Sequence, residues 1–183
     1  MTNTAEKSYQ LVDVTMELVK QYGFTHLVCV ANYETETLRK AFEDDPDLTY
    51  LLACREGEAV AIASGLITAG HRTILCMENL GLFESLDTFR GIPCDMKIPL
   101  PVFVGYAGRG ATMEAAFEAV GGMAGHVVLA GTWTEPVLEA TNIKHGLLLQ
   151  DNSEEATRET LTQAFDAQEP FVILVDNLDR VTS

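Results

Sequence analysis

Hydrophobic positions along the chain fall into two alternating kinds of segment. Short, nearly unbroken apolar runs cover residues 26–31, 48–54, 73–77, 100–105, 145–149 and 171–176. They lack the every-second-residue alternation of a sheet with one wet face. Such runs predict strands covered on both sides, as in a parallel sheet. Longer stretches with helical spacing separate them. Leu11, Val14, Leu18 and Tyr22 recur on one face of a helix that stops at Gly23. Residues 34–45 predict a short helix and 56–70 a second, closed by Gly70. A helix over 134–142 takes Thr134 as its cap, with Pro136 near its start. A helix over 153–168 opens at Ser153, followed by two glutamates in the first turn.

This alternation predicts one doubly wound α/β domain over residues 1–183, with a six-stranded, mostly parallel sheet and right-handed crossovers. The glycine-dense region 105–131 is the least regular and predicts long loops around one helix near 113–120.

Charge narrows the partners. Against 12 basic residues stand 27 acidic ones, a net charge of −15. Such a surface repels phosphate backbones and anionic lipid, so neither nucleic acid nor a membrane is an expected partner. No run approaches the ~18 apolar residues of a membrane span. The first residues, "MTNTAEKSYQ", show no basic region leading into an apolar one, so the sequence reads as cytoplasmic. Cys29, Cys54, Cys76 and Cys94 form no C-x-x-C pair and no zinc spacing, and read as small buried hydrophobes.

In open α/β sheets, ligands bind beyond the carboxyl ends of the strands. Four segments lie there: "ANYETE", "REGE", "ENLGLFES" and "GYAGRG". In the second, Glu56 shares a helical face with Val60, Ala63 and Ile67. It therefore heads an apolar stripe, where the helix N-terminus favours the carboxylate and burial favours the acid. Glu58 reads as the solvated member of the pair. "GYAGRG" has neither the Lys-Ser/Thr of a phosphate loop nor dinucleotide spacing. Its Arg109 is suited to an anion or to nearby acids. Glu78, Asn79 and Gly81 follow the third strand, and Asn32 and Tyr33 the first. Histidines 26, 71, 126 and 145 show no clustering in sequence, and His126 is the weak candidate acid or base among them.

Taken in order, "LTYLLACREGEAVAIASGLITAG", "ILCMENLGLFESLD" and "PVFVGYAGRG" resemble the pyrimidine-binding domain of thiamine-diphosphate enzymes. Within that family the likeness is to the alpha subunits of two-subunit decarboxylases of the sulfopyruvate and phosphonopyruvate type, from about Tyr9 to Asp176. The resemblance implies that Glu56 contacts N1′ of the cofactor's aminopyrimidine and favours its imino tautomer. It implies cofactor contacts at Asn79 and Gly81, and a 2-oxo acid pocket lined by Tyr33, Asn32 and Arg109.

The family's G-D-G segment with a later asparagine, which holds Mg²⁺ and the diphosphate, does not occur here. The resemblance therefore implies a beta subunit carrying that site and a hetero-oligomer with thiamine diphosphate at the interface. The proline and the histidines common in the family's strand-end loops are absent too, and Ala31 stands near the proline position. No catalytic histidine carries over, and no metal ligand is expected in this chain. A carboligase subunit and a non-catalytic scaffold of the same fold are the alternatives, with a small-anion-binding α/β domain as a third.

Overall fold

A computed structural model describes residues 4–112, 114, 123–149 and 151–176, with side chains left out at 4–10 and 123–128. The elements in chain order are α1 (Thr4–Gln21), β1 (His26–Cys29), α2 (Glu36–Glu43), β2 (Thr49–Leu52), α3 (Glu56–Thr68), β3 (Thr73–Glu78) and α4 (Asn79–Phe89). A π-helical turn (Arg90–Cys94) follows, then β4 (Pro101–Gly105), α5 (Met123–Ala140), β5 (Lys144–Leu148), α6 (Glu154–Asp166) and β6 (Phe171–Val175). The predicted helix near 113–120 and the side chain of His126 lie outside the described residues.

All six apolar runs are strands of one sheet, in the order β2-β1-β3-β4-β6-β5. Every ladder is parallel. In β1, β3, β4 and β6 the continuous apolarity has a direct cause, since helices cover both faces; the edge strands β2 and β5, expected to be covered too, are only partly so because each has a neighbour on one side alone. Along β3, Ile74 and Cys76 point into a core with Leu18 and Val19 of α1, Phe42 of α2 and Phe165 of α6. Leu75 and Met77 point the other way, into a core with Val60 of α3, Phe89 of α4 and Leu138 of α5. Phe42, Phe89 and Phe103 are fully buried. Each such side chain contributes about 1.5–3 kcal/mol by leaving water.

Ser153 caps α6 as the sequence predicts, accepting a hydrogen bond from Ala156 N at 3.2 Å. Two local expectations fail. The segment 78–85, expected as a loop after the third strand, is not one; β3 runs to Glu78 and helix α4 begins at Asn79. Thr134 caps nothing either. It lies inside the 18-residue α5, and its hydroxyl donates back to Ala130 O at 2.8 Å. Pro136 is also internal to that helix. The packing environment overrides both local signals. Asn79 and Thr134 are each fully buried and are bonded to one another.

The strand order places the site. From β1 the chain turns outward through α2 to β2, whereas from β3 it turns the opposite way through α4 to β4. The loops after β1 and β3 therefore part, leaving a crevice between two neighbouring strands at their carboxyl ends.

Candidate active site

Four segments converge on that crevice. Residues 30–35 leave β1, Glu56 opens α3 after β2, Glu78 ends β3 where α4 begins, and Gly105 ends β4. Hydrogen bonds within the chain fix each one.

Asn32 shapes the first. Its Oδ1 accepts from Thr35 N at 3.1 Å and from Thr35 Oγ1 at 2.9 Å, and its Nδ2 donates to Val30 O at 3.2 Å. This is the Asx geometry that turns a chain into a helix. It leaves Tyr33 at the tip, 89% exposed, and turns Glu34 inward, 8% exposed.

Glu56 is the first residue of α3 and is half-buried. Val60 and Ala63, on its face, are fully buried, as the stripe predicts. The N-terminus of α3 is satisfied by other groups: Gly57 N donates to Glu84 Oε2 at 3.2 Å, and Arg55 pairs with Glu84. Glu58 is exposed and accepts from Cys54 N. Glu56 is thus free of capping duty, and among the described residues no donor bonds its carboxylate. It lies on Gly81 of α4, where a Cβ would overlap Glu56 Cγ, Cδ and Oε1. Any side chain at position 81 would force Glu56 out of this position.

Asn79 is wholly internal. Its Nδ2 donates to Ala107 O at 2.9 Å and to Thr134 Oγ1 at 3.0 Å, and its Oδ1 accepts from Leu80 N at 3.1 Å. The side chain ties α4 to the loop after β4 and to α5, and no donor is left over for a ligand. Arg109 is committed as well, at 2.9 Å from Asp176 Oδ2. That pair sits at the ends of β4 and β6, about two strand spacings, or ~10 Å, along the sheet from the crevice.

Two acids gain a place the sequence pattern did not give them. Glu78 is half-buried at the end of β3, where burial and the neighbouring Glu34 and Glu56 push its carboxyl up to about 7. Glu34 packs over the end of β4. A Cβ on Gly105 would stand 2.6 Å from Glu34 Cβ. The signal that marks both contacts is a glycine where an apolar strand or a helix start would favour a larger residue, since it reports a close approach.

Among the described residues no histidine side chain lies at the crevice. His26 and His71, far apart in sequence, bring their rings to 4.5 Å at the amino end of the sheet, where burial and His71 lower the basicity of His26. Cys29 and Cys76 are buried side by side on β1 and β3, as expected, but Cys54, in the turn between β2 and α3, is exposed and Cys94 is half-buried; all four are free thiols. Among the described residues no cluster of three or more His, Cys, Asp or Glu could hold a metal. No described helix is long and apolar enough to cross a membrane.

The rim is apolar. Leu52, Trp133 and Ile62 are exposed. A groove of about 230 Å³ between α4 and α5 is lined by Leu80, Phe83, Leu129, Ala130 and Trp133.

Comparison with known proteins bears on this arrangement. No family model matches the chain. Sulfopyruvate decarboxylase subunit alpha of Methanococcus maripaludis is 24% identical over 178 residues, 96% of each chain. The chain resembles that alpha subunit from end to end. The protein of the same name from Methanothermobacter thermautotrophicus is 29% identical over 98 residues, 53% of this chain and 59% of that one. Among solved structures, the thiamine diphosphate-dependent 4-hydroxybenzoylformate decarboxylase of Rhodococcus jostii RHA1 superposes with a TM-score of 0.64 at 20% identity. The match covers 91% of this chain and 30% of that enzyme. The chain therefore shares its fold with one domain of that enzyme and spans 30% of the enzyme's length.

Proposed function

We propose that this chain is the alpha subunit of a thiamine-diphosphate-dependent 2-oxo acid decarboxylase, with Glu56 acting on the cofactor's aminopyrimidine. The observation that carries this reading is the seat of Glu56. Its carboxylate heads an apolar helix face at the switch-point crevice, rests on a glycine whose Cβ would overlap it, and meets no donor among the described residues. A carboxylate so placed suits a ring nitrogen that offers or shares a proton.

The residues present fit the cofactor's pyrimidine end. Glu56 would hold it, and Gly81 keeps the space for that carboxylate open. When bound, the thiazolium supplies an acceptor for the electron pair released as a 2-oxo acid loses carbon dioxide. This chain's residues have separate tasks. Glu56 holds or moves a proton at its Oε atoms. Asn79 keeps the start of α4, and so Gly81, in place. Tyr33 stands free at the rim, where it can meet substrate; Asn32 sets the turn that presents it. Arg109 would reach an anionic substrate only by loosening its bridge to Asp176.

The diphosphate and Mg²⁺ would belong to a beta subunit. Two facts support a partner. The relatives are named as subunits, and the groove between α4 and α5, with Trp133 beside it, lays an apolar face open at the surface. An open apolar groove of this kind suits a surface that another chain covers.

The test is reconstitution. The full chain is mixed with a candidate beta subunit carrying G-D-G and a later asparagine, thiamine diphosphate and Mg²⁺, and aldehyde and CO₂ are measured from a panel of 2-oxo acids. Glu56→Gln is expected to assemble normally and to slow exchange of the cofactor C2 proton by at least ~10²-fold, the low end of a general acid–base contribution. Wild-type exchange in Glu56→Gln would remove its assigned role. Carbon–carbon bond formation from two carbonyls, without free aldehyde, would favour the carboligase alternative.

A further inference from the structure

Glu34 and Glu78 have no task in the function just given, yet the fold forces them together. Gly105 is the direct ladder partner of Glu78 across β3 and β4. Glu34 Cβ lies over that glycine, 2.6 Å from where its Cβ would be. The Glu34 side chain is thus pressed onto the end of the strand pair that carries Glu78. It is 8% exposed, and its Oε2 is buried with no hydrogen-bond donor among the described residues.

A buried acceptor without a donor costs about 1–3 kcal/mol, and more when charged. The neighbour that can supply a donor is Glu78, if it carries a proton. Two unprotonated carboxylates side by side repel, whereas one proton between them allows a hydrogen bond.

We propose that Glu34 and Glu78 hold one proton between them, with the Glu78 O–H donating to Oε2 of Glu34, and that this proton replaces the carboxylate lost from the 2-oxo acid. The second half rests on the function proposed above. The titratable groups that act on Glu78 are Glu34, from the loop between β1 and α2, and Glu56, from α3. Both are acidic, and burial works in the same direction, so all three favour the protonated form.

The balance is simple. The bond between the carbonyl carbon and the carboxylate breaks, CO₂ leaves, and the electron pair, which the bound cofactor would accept, returns to the carbonyl carbon as it is protonated. A proton from Glu78 forms the new C–H bond of the aldehyde. The two carboxylates left behind regain one proton from solvent.

The first test needs neither cofactor nor partner. The full chain is labelled with ¹³C at the glutamate side-chain carboxyls and titrated by NMR between pH 4 and 9. One glutamate is expected to titrate near pH 7, to vanish in Glu78→Gln, and to move down by about one pH unit, a tenfold change in proton affinity, in Glu34→Gln. A wild-type chain whose glutamates all titrate below about pH 5.5 overturns the shared proton, as does a near-neutral signal that survives in Glu78→Gln. Should Glu78→Gln fail to fold, Glu34→Gln decides the matter, and an unmoved midpoint there overturns the pairing.

The second test uses the assembled enzyme. Glu78→Gln is expected to slow aldehyde formation by ~10²-fold and to flatten its pH profile near 7. Unchanged rate and profile overturn the delivery step. If no assembly binds thiamine diphosphate while the near-neutral glutamate is seen, the decarboxylase reading falls and the proton pair stands.

Discussion

Replacing Gly81 with alanine probes the contact on which the site depends, and a double-mutant cycle isolates it. A Cβ at position 81 would overlap three atoms of the Glu56 side chain. Forcing one extra methyl into a filled site costs about 1–3 kcal/mol. Gly81 lies in α4, where alanine is the better helix former by about 1 kcal/mol. Gly81→Ala alone should therefore destabilise the chain by about 0–2 kcal/mol.

Glu56→Ala removes all three overlapped atoms. In that background only the helix gain remains, and Gly81→Ala should stabilise by about 0.5–1 kcal/mol. The coupling between the two positions is then about 1–3 kcal/mol, well above the ~0.3–0.5 kcal/mol scatter of independent sites. Urea unfolding of the four chains, at constant slope of stability against urea, measures it directly. In a domain of this size 1 kcal/mol also moves Tm by about 2–4 °C, so a thermal melt gives an independent reading. Additive effects would refute the contact, and with it the argument that Gly81 exists to admit Glu56.

Asn79→Ala deletes both donors to Ala107 O and Thr134 Oγ1 in a fully buried setting. It should cost about 2–4 kcal/mol by urea unfolding, a loss too large for a residue whose amide serves only a ligand. Glu78 has its folded value raised from 4.5 to about 7, so the native state binds the extra proton across that interval. The chain therefore loses stability as pH rises from about 4.5 to about 7. The stability of Glu78→Gln relative to wild type should grow over the same range and level off above it; parallel profiles would contradict the raised value. Arg109→Ala breaks a bridge whose partners are each about a third exposed, and should change stability by less than ~1 kcal/mol. If Arg109 meets substrate, KM in the assembled enzyme rises at unchanged stability, whereas loss of several kcal/mol would mark the bridge as structural.

The sequence by itself determined the layers of this protein. Runs such as 73–77 and 171–176 carry apolar side chains on both alternating sets of positions, and only a sheet covered on both faces buries both sets. Glu56 was legible for a related reason. A lone carboxylate at the head of the Val60–Ala63 stripe breaks a helical pattern, and that break is visible within one turn.

Tertiary structure decided what depends on partners distant along the chain. The segment 78–85 looks like a turn because its asparagine and glycine favour one. It becomes a helix because Asn79 bonds groups 28 and 55 residues away. The Thr134–Pro136 start signal is overridden by the same buried contacts. Glu34 is one of two glutamates in a polar loop, and nothing local distinguishes it from Glu36, which pairs with Arg39 and Lys40. Gly105 and the strand order bring it inward against Glu78. Hydrophobic periodicity is a local property and survives in one dimension. The meeting of three carboxylates at a switch point depends on which strands lie side by side, and the chain settles that only when it folds.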